Sequence, residues 1–368
     1  MADSSRQAEF DAAYDEQARA LGTIRIAIFG LTGAGKSTLL NAVFGEEVAA
    51  TGVGQPVTKG VTKFVNQTGT LAVWDCRGFE TGDHKPTKWL REQVKANRRG
   101  DHQDLFDVAW YTVSAESKRF DDGQAALVRE LVGLGIPVVL VLTQVRRRGE
   151  DVDPVALELA DAITARGLPI AEGRPVLTMA KADAFSGLAS HGLDRLLEVT
   201  YAVVPEGRRN ALIAAQRVDL RSKLRLARSW IAGASAFAGG VGFAPIPVAD
   251  AAVLVPAQLS LMARIAAIYN IPKAKAARLM TGVTGVATTG GKYAAASLVK
   301  VIPGVGSVIS ASVAATITAT IGESWRNVSE RVFTGRSSIE SVTEVGELGE
   351  TFRAGLRRKV KNDGEPDQ

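Results

Sequence analysis

One stretch limits the folds open to this chain: FGLTGAGKSTLL, Phe29–Leu40, directly after the apolar run TIRIAIF, Thr23–Phe29. Its spacing is G-x-x-x-x-G-K-[ST], with Gly30, Gly35, Lys36 and Ser37 at the fixed positions. A strand feeding such a loop, which then opens a helix, turns consecutive backbone N–H groups inward around phosphate oxygens. Gly30, Gly33 and Gly35, with Thr32 and Ala34 between them, let the backbone close round the anion. Lys36 supplies positive charge to the outer phosphates and is a candidate catalytic group. The helix N-terminus at Ser37 and Thr38 adds its partial charge. The Ser37 hydroxyl is a candidate Mg²⁺ ligand.

The surrounding pattern suits that loop. Strand-length apolar runs recur at Thr23–Phe29, Val61–Gln67, Thr70–Asp75, Asp107–Val113, Pro137–Thr143 and Arg174–Ala180, separated by helical stretches. Such alternation predicts an α/β domain with a mainly parallel six-stranded sheet and helices on both faces. The runs flanking Thr68-Gly69 are close enough for an antiparallel hairpin. An amphipathic helix is expected over Ser4–Leu21, with Phe10, Tyr14 and Leu21 near one face. After Pro205 the strand pattern stops, and an all-α domain is expected. The expected divisions are 1–22, an N-terminal helix; 23–204, the α/β domain; 205–362, the helical domain; and 363–368, a frayed tail.

Two further segments belong with the phosphate loop. In Trp74-Asp75-Cys76-Arg77-Gly78, an Asp at a strand end is followed by x-x-Gly. Asp75 would hold Mg²⁺ through water, and the Gly78 N–H would meet a terminal phosphate. Between the two motifs lies TGVGQPVTKGVTKF, Thr51–Phe64. A Thr in such a loop can bind Mg²⁺ through its hydroxyl and a γ-phosphate through its N–H. Thr58 and Thr62 compete for that role, and Thr58 is favoured.

The phosphate loop, the PVTKG segment, D-x-x-G and the strand order resemble the G domain of the Era-like and interferon-inducible-GTPase-like branch of P-loop GTPases, over Ile24–Val204. A second resemblance covers GFAPIPVADAAVLVPAQLSLMARIAAIYNI, Gly242–Ile271, and IPGVGSVIS, Ile302–Ser310. These resemble the helical domain that follows the G domain in a group of bacterial GTPases. The resemblance implies GTP/GDP and Mg²⁺ as ligands and GTP hydrolysis as the activity. It also places the base-reading tetrapeptide at Thr143-Gln144-Val145-Arg146, where relatives carry Asn/Thr-Lys-x-Asp. Thr143 and Gln144 fall on its first two positions. Arg146 stands where an Asp would accept hydrogen bonds from guanine, and a guanidinium has no acceptor. Asp151 and Asp153 follow closely, without a spacing rule to enlist them. Thr178-Met179-Ala180-Lys181 resembles the segment that contacts guanine O6, so Ala180 and Lys181 are candidate base contacts and guanine is expected ahead of adenine.

Many relatives orient the attacking water with a Gln just after D-x-x-G; here that residue is Phe79. Arg77 and Arg119 are candidate substitutes, and Arg77 is a candidate catalytic residue. Slow turnover is therefore expected unless a partner or dimerisation completes the site. His84, His102 and His191 are isolated and suggest no metal pair. Cys76 is the lone cysteine, which excludes an internal disulfide, and reads as a structural thiol.

From Pro205 onward Lys and Arg number 21 against 12 Asp and Glu, a net of +9; the earlier residues carry 23 against 27, a net of −4. The basic residues Arg217, Arg221, Lys223, Arg225 and Arg228 precede the apolar stretch Ser229–Ala249, and Val301–Gly322 is long enough to cross a bilayer. The partners this admits are guanine nucleotide, a second copy through either domain, and an anionic membrane surface. Nucleic acid is not expected, because no aromatic residues interleave the basic ones. The N-terminal residues have no apolar h-region, so a cytoplasmic location is expected, peripheral or integral at the inner face of the membrane. Two alternatives stay open: a nucleotide-binding scaffold with little hydrolysis, and an ATP-binding switch.

Overall fold

Branched apolar runs without polar alternation must be covered on both faces. The computed structural model, which describes residues 2–45, 55–58, 61–76, 91, 106–183, 185, 187–241, 249–280 and 311–338, buries them that way. Among the described residues, seven strands form one sheet in the order β2-β3-β4-β1-β5-β6-β9. They are β1 (Ile24–Phe29), β2 (Gln55–Thr58), β3 (Val61–Val65), β4 (Leu71–Cys76), β5 (Val108–Ser114), β6 (Val138–Thr143) and β9 (Val176–Leu177). β1 lies parallel to β4 and β5, β5 to β6, and β6 to β9. β3 runs antiparallel to β4, as the Thr68-Gly69 turn predicts, and β2 antiparallel to β3. β2 is an addition to the six expected strands: its QPVT sequence has no apolar run, and its Pro is tolerated because the strand lies at the sheet edge. A separate short hairpin pairs β7 (Arg147–Arg148) with β8 (Asp151–Val152).

Helices cover both faces. α3 (Asp122–Gly133) and α4 (Pro154–Ala165) close one core, which includes Tyr111, Val128, Leu140 and Ile163. A capping box between Asp121 and Gln124 starts α3, and Asp153 with Pro154 starts α4. α2 (Lys36–Phe44), α5 (Leu193–Val203) and α6 (Glu206–Ala215) close the other core, where Phe44 stacks on Trp110.

Between Arg208 and Ile231 the chain forms parts of two helices, α6 and α7 (Leu220–Val241). Buried Gln216 makes the break: its carbonyl oxygen accepts from the N–H groups of Val218 and Asp219, and its amide donates to Asp219 O. α6 places Ala211, Leu212 and Ala215 in the sheet core. The chain accordingly divides into Leu21–Leu220 and a unit of Met1–Ala20 with Arg221–Gln368. The N-terminal helix thus groups with the C-terminal helices.

In that second unit, α1 (Ala2–Leu21) buries Phe10 and Tyr14. Phe10 meets the edge of Trp325, and Tyr14 donates to Ile271 O at 2.6 Å. α8 (Ala249–Ile268) packs on α9 (Ala311–Phe333), with Trp325 Nε1 donating to Met262 O. Lys223 is fully buried and donates to Ile268 O at 2.7 Å, above the Phe333 ring. It is thus an internal cap on a helix C-terminus and not part of a basic surface. Arg221, Arg225 and Arg228 are exposed. No described helix is long and apolar enough to cross a membrane. Of the two long apolar stretches read from sequence, 242–248 and 301–310 lie outside the described residues.

Candidate functional site

The parallel strands end together at one edge of the sheet, and the chain leaves β1 and β5 toward opposite sides of the sheet order. Ligands of open α/β sheets bind at such an edge. The phosphate-loop residues lie there. Gly33 and Gly35 have φ of 82° and 77°, a region that side chains with a Cβ seldom adopt. Gly30, with φ of 140°, has a second reason: a Cβ would run into Thr112 Oγ1 and O on β5. Thr112 uses that hydroxyl to donate to Phe29 O, so β5 fixes the point at which the chain leaves β1. Lys36 is buried and its ammonium donates to Gly30 O at 2.7 Å and Leu31 O at 3.0 Å, spanning the loop it belongs to. Thr32, Gly33, Ser37 and Thr38 are exposed.

Asp75 is buried at the end of β4, in register with Ile28 on one side and Thr62 on the other. Its carboxylate and the exposed Ser37 hydroxyl are hard oxygen donors, the kind Mg²⁺ takes when phosphates complete its shell. No group of three His, Cys, Asp or Glu that could hold a metal occurs among the described residues. This donor set therefore fits an ion shared with a phosphate better than an all-protein cage. Thr58 closes the edge strand β2, opposite Val61. Gly78, Arg77, Phe79, His84 and His102 lie outside the described residues. Arg119 is exposed. Burial pushes the Cys76 thiol well up, with the Asp75 carboxylate adding to the shift and the Lys36 ammonium opposing it. Cys76 is buried and inert by that measure, in keeping with a structural thiol.

The tetrapeptide after β6 does structural work that its sequence did not reveal. Thr143 is buried, and its hydroxyl lies 2.9 Å from Ala34 O, to which it donates, and 3.2 Å from Val113 O. Gln144 has φ of 59°, and its side-chain oxygen accepts from Ser114 Oγ. Ser114 Oγ in turn accepts from the Glu116 N–H at 3.2 Å and caps the short 3₁₀ turn Ala115–Ser117. Arg146 donates to Glu116 Oε1 at 3.0 Å. Val145 O receives the His191 ring Nε2 at 2.9 Å, and Val145 N–H donates to Thr178 O. His191 is therefore a bonded loop residue. Asp153 is committed to capping α4, and Asp151 lies in the β7–β8 hairpin opposite Arg148. Ala180 is half-buried against the sheet core and Lys181 is exposed just beyond it. Ser114, Glu116, Thr112 and His191 join the site without any sequence motif to announce them.

Residues 25–144 match the family described as 50S ribosome-binding GTPase. GTPase Der of Azorhizobium caulinodans is 25% identical over 213 residues, which are 55% of this chain and 43% of that protein. The chain thus spans less than half the length of that relative. A crystal structure of a probable GTP-binding protein engB aligns with 49% of this chain and 97% of its own, at 18% identity and a TM-score of 0.32. With the phosphate loop between β1 and α2, an Asp at the end of β4 and the family match from 25 to 144, the Leu21–Leu220 unit has the P-loop GTPase fold.

Proposed function

We propose that this protein binds guanine nucleotide with Mg²⁺ and hydrolyses GTP slowly, and that nucleotide state controls how its helical unit self-associates or meets a membrane. The observation that carries the reading is the built phosphate loop: three glycines at positive φ, one of them, Gly30, also against Thr112, and Lys36 laid across the loop. Gly30, Thr32, Gly33, Ala34, Gly35, Lys36, Ser37 and Thr38 would surround the phosphates. Ser37, Thr58 and, through water, Asp75 would hold Mg²⁺, which would neutralise charge on the phosphates when bound. Gln144, Ala180 and Lys181 would line the base, with Thr143 bracing the loop beneath. Gly78 and Arg77 would face the terminal phosphate. Phe79 cannot orient water, which supports slow intrinsic turnover. Exposed Arg221, Arg225 and Arg228 on the helical unit suit an anionic lipid surface.

The test is equilibrium binding of fluorescent GTP, GDP and ATP analogues with Mg²⁺, beside Lys36→Ala. Tight GTP and GDP binding that the variant loses, with ATP ignored, is the expected result; absence of binding by the native protein refutes the reading. Turnover per site should rise with protein concentration or on adding lipid, and a flat profile over a wide range removes dimer or membrane activation.

A second reading is a nucleotide-binding scaffold with little hydrolysis, or an ATP-binding switch. Arg146 at the base position, engaged with Glu116, is the observation in its favour. Equal ATP and GTP affinity would select it.

A further inference from the structure

Arg146 removes the acceptor that a base-reading Asp would supply, yet a carboxylate lies against it. Glu116 reaches this position from a different strand, at the end of β5, and its Oε1 accepts from Arg146 Nη2 at 3.0 Å. Two independent ties put it there. Its side chain is held by Arg146. Its backbone N–H donates to Ser114 Oγ, and Ser114 Oγ donates to the side chain of Gln144, the second residue of the tetrapeptide. Gln144 adopts a left-handed φ of 59° while making that contact. A non-glycine residue in that region costs about 1 kcal/mol or more unless its surroundings hold it. The loops after β5 and β6 are thus cross-linked twice, over residues that are 30 apart in each pair.

We propose that Glu116, oriented by Arg146, is the acceptor that reads the N1–H and N2–H₂ edge of guanine in this protein. The inference rests on the guanine-nucleotide reading of the site. A carboxylate offers about four lone-pair sites, so one guanidinium N–H leaves capacity for two donors from the base. Adenine presents an unprotonated N1 at the corresponding place and would repel the carboxylate. Arg146 is then a positioning residue: its guanidinium donates to Glu116 Oε1 and fixes the rotamer of that side chain. The carboxylate is supplied from β5 and the guanidinium from β6, the reverse of an arrangement in which the tetrapeptide itself carries the acid. Both side chains are more than half exposed, so the pair adds little to stability and is accessible to a ligand.

The experiment measures dissociation constants of GDP, IDP and ADP with Mg²⁺ for the full chain and for Glu116→Gln, Glu116→Asp and Arg146→Ala. IDP lacks the 2-amino group and isolates one of the two hydrogen bonds. The native chain should prefer GDP to IDP, and both to ADP. Glu116→Gln should weaken GDP about tenfold to hundredfold and leave ADP unchanged, as loss of hydrogen bonds to a charged acceptor requires. Glu116→Asp should recover part of the GDP preference, and Arg146→Ala should lower it with unchanged thermal stability. A GDP-to-ADP ratio that survives Glu116→Gln overturns the assignment while the guanine reading stands. Equal native affinity for GDP and ADP overturns it and leaves a generic nucleotide site. A native chain that binds none of the three overturns both.

Discussion

Thr143 Oγ1 donates to Ala34 O at 2.9 Å, tying the end of β6 to the phosphate loop 109 residues earlier in the chain. A residue that reads as a base contact in sequence thus braces the phosphate loop from beneath. Thr143→Val keeps the volume and deletes the hydroxyl. It should cost about 1–3 kcal/mol, because buried Ala34 O loses its donor, and lower the melting temperature by a few degrees. Thr143→Ser should restore most of that loss. Thermal denaturation of the three proteins checks this, and equal stability would show that the tie carries no weight.

Gly30 and Gly33 should respond differently to the same substitution. Gly33→Ala meets nothing within 4 Å and suffers only the positive-φ cost, about 1–2 kcal/mol. Gly30→Ala drives a methyl into the backbone of β5 and should cost more than about 3 kcal/mol or prevent folding. Urea unfolding of the pair decides it; equal losses would mean that β5 does not constrain the loop.

Cys76 should resist alkylation at pH 8 in the native protein and react on denaturation, because burial holds the thiol protonated. Its raised native pKa also fixes the sign of a pH effect. The contribution is complete below the ordinary thiol pKa of about 8.5 and is lost as pH rises above it, since the unfolded chain ionises first. A Cys76→Ala protein should lack that alkaline component. Rapid native-state labelling at pH 8 would contradict the burial.

The exposed and buried cations of α7 make separate predictions. Arg221→Ala with Arg225→Ala should weaken binding to phosphatidylserine vesicles, by about 1 kcal/mol for each charge near the surface. Lys223→Met should leave vesicle affinity unchanged while destabilising the helical unit by about 1–3 kcal/mol, because the Ile268 carbonyl loses its donor. Vesicle co-sedimentation and circular-dichroism melting separate the two. Absence of vesicle binding by the native chain would retire the membrane part of the proposal.

The strands that hold the site were legible because β1, β4, β5 and β6 are buried on both faces and read as unbroken apolar runs. β2 was not: Gln55–Thr58 pairs on an edge, and its sequence QPVT has no apolar run. The phosphate loop was legible because its glycines are required locally, by φ at Gly33 and Gly35 and by the approach of Thr112 at Gly30. The base side was not, because its contacts join distant residues. Nothing in Ser114 or Glu116 alone points to Gln144 or Arg146. The place of α6 in the sheet core was not legible, because its small apolar residues look the same whichever core receives them. Gln216, which ends that helix by bonding its own backbone, carries no pattern beyond its identity.

Amide hydrogen exchange of the full chain, with and without GDP and Mg²⁺, tests the central claim most directly, because it reports both binding and place. The account predicts increased protection in peptides covering Gly30–Thr38, Ser114–Glu116, Thr143–Arg146 and Ala180–Lys181, with none of these changes in Lys36→Ala. Protection confined to other peptides, or no change at saturating GDP, would contradict it.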